Sequence, residues 1–147
     1  MISQTAEYAL RAAVFLSMNS SRSFTTERIA AATRVPAGYL SKVLQALSRA
    51  GLVRSRRGLK GGFAIARPAA QLSVLEIVNA VDPIRRIDSC PLELAAHGVN
   101  LCPLHHRLDE AIAMVERAFA GTSLAELIAE PSASIPLCAF PAASQPD

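Results

Sequence analysis

Residues 36–49 restrict the fold of this chain more than any other stretch. Leu40, Val43, Leu44 and Leu47 recur at i, i+3, i+4 and i+7, while Ser41, Lys42, Gln45, Ser48 and Arg49 fall between them. A helix separates these two sets onto opposite faces. The spacing therefore predicts a helix from 36 or 37 to 49, with its apolar side against the body and its polar side turned outward. Pro36 disfavours helix at Val35 but suits the first turn of a new one, and Gly51 supplies a stop. Upstream, Thr25 or Thr26 can cap a short helix reaching Ala32, its hydroxyl accepting from a backbone N–H, and Arg34-Val35-Pro36 breaks that helix. Downstream, residues 52–56 and 63–66 read as two short strands around Arg57-Gly58-Leu59-Lys60-Gly61-Gly62, a glycine-rich turn.

The other segments are helical too. Ala6, Leu10, Ala13, Val14 and Ser17 give one buried face to a helix over 4–18. Ser73 with Glu76 and Ser123 with Glu126 are S-x-x-E capping boxes, opening helices over 74–81 and just beyond 123. Between them lie an irregular stretch over 82–101, with Pro83, Pro91 and Gly98, and a long helix over 103–120. The long helix carries Leu104, Leu108, Ala111, Ile112, Val115 and Phe119 on one face. Pro, Ala and Ser dominate from Pro131 onward, which predicts a disordered tail over 131–147. The fold class is mainly α with a small β-wing. Two short helices, a tight turn and a basic hairpin make a winged helix-turn-helix unit over 1–82. A cysteine-bearing loop over 83–102 and the long and short helices over 103–130 follow it.

Charge divides the chain the same way. Residues 1–67 hold eleven basic side chains against Glu7 and Glu27, a net +9, whereas residues 68–147 hold four basic and ten acidic side chains, a net −6. A basic half suits a polyanion, and nucleic acid is the commonest one. Ser41, Lys42 and Gln45 are short polar groups suited to base edges, Gln pairing with adenine through two hydrogen bonds. Arg49 continues their face. Tyr39 lies near the helix start, where hydroxyls and backbone N–H groups meet phosphate. Arg54, Arg56, Arg57 and Lys60 lie on or beside the wing. A charged helix face and an arginine-rich hairpin can each be no more than a solvated surface. Basic helix, basic wing and a +9 half together point to double-stranded DNA. No Ser/His/Asp set, HExxH motif or phosphate loop points to an enzyme. Three cysteines without a CxxC pair suit a reducing cytoplasm. The apolar stretch over 12–16 is too short to span a bilayer, so no membrane is expected.

The run Tyr39-Leu40-Ser41-Lys42-Val43-Leu44-Gln45-Ala46-Leu47-Ser48-Arg49-Ala50-Gly51-Leu52-Val53, then Arg56-Arg57-Gly58-Leu59-Lys60-Gly61-Gly62-Phe63, resembles the Rrf2 family of bacterial transcription regulators. Glu7-Tyr8 in the opening segment and the stretch over 72–82 match it as well, so the resemblance covers about residues 1–130. It implies a homodimer held by the long helix, each winged unit facing half of a near-palindromic operator, and a repressor as the usual mode.

The resemblance also implies a cofactor. Many members carry an iron–sulfur cluster on a C-x5-C-x5-C loop with a histidine three residues beyond. Cys90 and Cys102 match the outer cysteines and His105 the histidine, but Ala96 stands at the middle position. A cluster needs about four ligands. The fourth could be His97, one residue past the missing thiol, or Glu7, since an acid there ligates across the dimer in some relatives. Two cysteines with His or carboxylate suit a 2Fe-2S cluster better than a cubane, and one sensitive to redox state, nitric oxide or iron–sulfur supply. The same residues have plainer readings. Glu7 can sit by a helix N-terminus for the dipole alone. His105 and His106 can be ordinary first-turn residues, and Cys90 and Cys102 small half-buried groups or a thiol switch in a cluster-free regulator. Cys138, in the tail, reads as incidental.

Overall fold

The computed structural model describes residues 2–97 and 100–134, with the backbone alone of His97. The order of elements is α1 (Gln4–Met18), α2 (Thr26–Thr33), α3 (Ala37–Arg49), β1 (Val53–Arg56), β2 (Gly62–Ile65), α4 (Val74–Val81), α5 (Pro103–Ala120) and α6 (Leu124–Ala129). Single 3-10 turns occupy Ala69–Gln71 and Ala95–His97. The expected tail, Cys138 included, lies outside the described residues from 135 onward.

Helix α1 is the hub. It packs against α2, α3, α4, α6 and β2, so it is buried over far more than the single face its periodicity predicts. Ala9, Ala12 and Leu16 are fully inaccessible, whereas Leu10 and Ser17 are only partly covered. Three alanines, at 9, 12 and 13, let neighbouring backbones approach closely, and this burial from several sides leaves no simple stripe. Leu16, Ile29, Leu40, Leu44, Leu47, Leu72, Ile77 and Leu124 fill the centre. Thr33, the one polar residue buried among the described residues, donates its hydroxyl to the Ile29 carbonyl at 2.7 Å.

The helix-turn-helix is built from local signals. The Thr25 hydroxyl accepts from the Arg28 N–H and starts α2. At its end Arg34 takes a left-handed conformation, φ 52°, and the Val35 N–H donates to the Ala30 carbonyl at 3.2 Å. Pro36 then precedes α3 with no side chain capping its first turn. The wing pairs Val53 with Ile65 through Arg56 with Gly62 in antiparallel register. Phe24 bridges to β2 as well, exchanging two backbone hydrogen bonds of 2.9 and 2.8 Å with Phe63. Gly62 is obligatory here. Its φ is +138°, and a Cβ would lie 2.3 Å from the Phe24 carbonyl oxygen.

The C-terminal part returns to the winged unit. Both capping boxes form, and they sit side by side. Ser73 and Ser123 make a backbone bridge, the Val74 N–H donates to the Thr122 carbonyl at 2.9 Å, and the Leu124 N–H to the Leu72 carbonyl at 2.8 Å. Helix α6, grouped with the long helix by sequence, thus places Leu124 in the main core. Helix α5 departs from its predicted single face. Ala113 is buried and Ile112 and Phe119 half-buried, while Leu104, Leu108, Met114 and Val115 are exposed. Among the described residues no helix is long and apolar enough to cross a membrane.

Candidate functional site

Beyond the exposed Ala37 and Gly38 of its first turn, the outward side of α3 is polar. Tyr39, Lys42, Gln45 and Arg49 are exposed, with Ser41 and Ser48 half-covered at the edge, and Leu40, Val43, Leu44 and Leu47 hold the opposite face in the core. An unblocked first turn leaves N–H groups beside Tyr39 for an acceptor. Beyond Gly51 the wing exposes Arg54, Ser55 and Arg56, then Arg57 and Lys60. Every basic or polar residue singled out on α3 and the wing is therefore at the surface or its edge.

Several contacts had no sequence signal. Tyr39 meets Tyr8 of α1 edge-on, with centroids 6.5 Å apart, and the Arg11 guanidinium lies 5.7 Å from the Tyr8 ring centre. Arg11 also donates to Glu7 at 3.1 and 2.5 Å and to the Thr33 carbonyl at 3.3 Å. Glu7 is thus an exposed carboxylate already engaged by Arg11 within its own protomer. Arg22 and Arg28 both lie over Phe24, at 5.8 and 5.9 Å, and bring two more cations next to the wing sheet.

The cysteine loop is anchored to α5. The Arg86 guanidinium donates to both oxygens of Asp109, at 2.7 and 2.6 Å, and lies 3.5 Å from Glu116. The Ile87 N–H donates to Asp109 at 2.9 Å. The Arg86 hydrogen bonds, helped by that of Ile87, hold the Asp109 carboxyl down to about 2. A bidentate arginine fixes direction as well as distance, so residues 86 and 87 have a defined seat on the helix.

Cys102 is the N-cap of α5, with Pro103 in the first turn. His105 stands one turn on, its Nδ1 3.3 Å from the Cys102 Sγ. Thiolate and imidazole on one tetrahedral ion sit about 3.5 Å apart, given metal–ligand lengths near 2.3 and 2.0 Å. The donor chemistry and spacing of this pair fit a metal. Cys90 is buried, only 8% exposed, in the loop ahead. Among the described residues no group of three or more His, Cys, Asp or Glu side chains converges to hold a metal. The structure thus brings together Cys102 and His105, and neither Cys90 nor Glu7 completes a group of three with them. The His97 side chain lies outside the described residues.

A helix pair whose second member exposes polar groups, followed by a cationic wing, defines a winged-helix protein of the DNA-binding regulator class. Three comparisons narrow that class. The model of the Rrf2 family, described as an iron-dependent transcriptional regulator, matches residues 2–130. An HTH-type transcriptional regulator of Aquifex aeolicus is 30% identical over 131 residues, which span 87% of this chain and 91% of the relative. The solved structure of CymR, the global cysteine regulator of B. subtilis, superposes with a TM-score of 0.72 at 21% identity, covering 90% of this chain and 98% of the other. IscR of T. potens does so with 0.70 at 20% identity, covering 86% and 85%. The chain belongs to the Rrf2 family of transcriptional regulators.

Proposed function

We propose that this regulator binds double-stranded DNA as a homodimer on a near-palindromic operator, acting as a repressor. Tyr39, Ser41, Lys42, Gln45 and Arg49 of α3 face the major groove, and Arg54, Arg56, Arg57 and Lys60 of the wing meet phosphate. The observation that carries this reading is the outward face of α3, where Tyr39, Lys42, Gln45 and Arg49 are exposed over an inner face of buried Leu40, Val43, Leu44 and Leu47. The exposed apolar residues of α5, Leu104, Leu108 and Val115, spaced for a helical seam, support the dimer. Duplexes selected from a random pool by the wild-type protein, then titrated by fluorescence anisotropy, test it. The expected product is a palindromic consensus bound by two protomers. A protein that selects no duplex overturns it.

The sensing element in this proposal is the loop over 83–102. Cys90, Cys102 and His105 would hold an iron–sulfur cluster of the 2Fe-2S type, with Glu7 or His97 as a further ligand. When bound, the cluster supplies reversible redox chemistry and a target for nitric oxide. The chain's own part is mechanical. Arg86 and Ile87 sit on Asp109 of α5, so a shift of the loop turns the long helix and the spacing of the two wings. The 3.3 Å approach of Cys102 and His105 supports this reading.

The absence of a third converging donor among the described residues favours a second reading, a cluster-free regulator switched by thiol oxidation or another ligand. Protein purified without oxygen separates the two by visible absorption and iron analysis. A coloured, iron-bearing protein supports the cluster. Colourless, iron-free protein whose DNA binding still responds to oxidant supports the thiol switch, and a cluster-free regulator that answers instead to another ligand keeps its DNA binding and regulation in Cys90→Ala.

A further inference from the structure

Leu59 has a relative exposure of 110%, the highest among the exposed large apolar residues. It stands at the extreme end of the wing. Gly58, with φ +107°, starts a four-residue turn closed by the Gly61 N–H on the Gly58 carbonyl at 2.8 Å, and Leu59 is the first corner residue of that turn. The hairpin cannot easily fold back to shelter it. A Cβ at Gly61 would lie 2.3 Å from the Arg56 carbonyl, so the two sides of the turn already touch. The side chains flanking the tip are cations: Arg56, Arg57 and Lys60, all exposed. Leu59 is thus an apolar side chain held in water on a turn that carries three exposed cations, with no apolar cover among the described residues.

We propose that Leu59 is the apolar contact of the wing with the DNA minor groove, seated between the deoxyribose walls while Arg56, Arg57 and Lys60 take the phosphates on the two rims. This rests on the DNA-binding reading above and adds a residue that selects by groove shape. The minor groove is about 6 Å wide and its walls are sugar carbons, so a leucine at the end of a narrow hairpin meets apolar surface there. Apolar wedges at such positions favour steps that open or unstack readily. A leucine forms no hydrogen bond with a base edge. Its preference is therefore for deformable sequence, unlike that of an arginine tip, which favours the narrow, electronegative groove of A-tracts.

The test uses the full chain and duplexes selected by it from a random pool. Leu59→Ser and Leu59→Met are compared with wild type by anisotropy over a range of salt concentrations. Leu59 touches nothing in the core, so both variants are expected to melt like wild type. Removing a buried leucine side chain should weaken binding by about tenfold in Leu59→Ser, and Leu59→Met should restore it to within about twofold. The slope of affinity against salt should stay unchanged, because every phosphate is still held by its cation. Exchanging G·C for I·C pairs under the wing alters only the minor groove, and should change wild-type affinity but not that of Leu59→Ser. Leu59→Ser binding as tightly as wild type overturns the proposal, as does a weakening accompanied by a shallower salt slope, which means the whole wing has shifted. Wild type selecting no duplex sinks the DNA-binding reading itself and is distinct from both.

Discussion

Helices α3 and α5 each rest one side on the protein body, yet only α5 leaves large aliphatic side chains in water on its outward side. Helix α3 turns Tyr39, Lys42, Gln45 and Arg49 to solvent, and α5, besides the charged Arg107, Glu110 and Arg117, turns out Leu104, Leu108, Met114 and Val115. Water accepts the first set. The second set removed from water is worth about 25 cal/mol for each Å² covered. On the proposed function each outward face matches its partner: a polyanion for α3, another apolar surface for α5. The anchoring of the two helices differs as well. The turn before α3 and the wing after it are built from backbone hydrogen bonds and, in the wing, glycine geometry, whereas α5 is seated by charge, through Arg86, Asp109 and Glu116.

The strongest way to break this comparison is at the wing. Gly62→Ala drives a Cβ into the Phe24 carbonyl at a backbone angle alanine rarely adopts. It should destabilise the winged unit by more than about 1 kcal/mol and abolish tight DNA binding, as read by thermal melting and anisotropy. Association through α5 should survive. Failure of both together would mean that the two faces are not independent.

Leu108→Asp is the converse. The residue is 48% exposed, so the protomer should fold normally, while a desolvated carboxylate in an apolar seam opposes pairing. Sedimentation should show monomer where wild type shows dimer, with operator affinity falling by about two orders of magnitude as bivalency disappears. A dimer unchanged by Leu108→Asp removes α5 from the interface.

A smaller and uniform effect is expected of Arg57→Ala. Binding to every sequence should weaken, and the slope of log affinity against log salt should fall by about 0.9 for each phosphate no longer neutralised. An unaltered slope would count against a phosphate-binding role there.

The mildest prediction concerns acid. Hydrogen bonds from Arg86 and Ile87 hold Asp109 down to about 2, and the backbone N–H groups of Ser73 and Ser123 lower Glu76 and Glu126. A carboxyl depressed on folding contributes stability above its unfolded value, near 4, and loses it as pH falls toward the folded one. All three lie on the C-terminal side. Melting between pH 5 and pH 2 should therefore weaken the seating of α5 ahead of α3, and hydrogen exchange by helix measures the order. Asp109→Asn should flatten the dependence for α5 alone.

Sequence shows α3 well because its four leucine and valine anchors obey a single period, with polar residues filling most of the positions between. The capping boxes were equally legible, each needing only four residues. Helix α1 was not, since Ala9 and Ala12 carry no strong apolar signal and are buried by neighbours that arrive from distant segments. In α5 the periodicity merged two surfaces: Ile112 and Phe119 turn toward the body and Leu104, Leu108 and Val115 away from it. Hydrophobic spacing marks what leaves water and is silent on whether its cover comes from within the chain. Cys102 and His105 could be paired from sequence as i and i+3 at the start of a helix. Arg86 and Asp109 could not, because they stand 23 positions apart and meet only through the fold.

The bridge between Ser73 and Ser123 has a mechanical consequence. It closes the chain between them into a handle whose two roots share one seam on the body, with Leu72 and Leu124 sunk beside it. The tie joins the start of α4 to the end of the long helix, so the two ends of α5 are held differently: one by this backbone bridge, the other, where Cys102 and His105 lie, by no such bridge among the described residues.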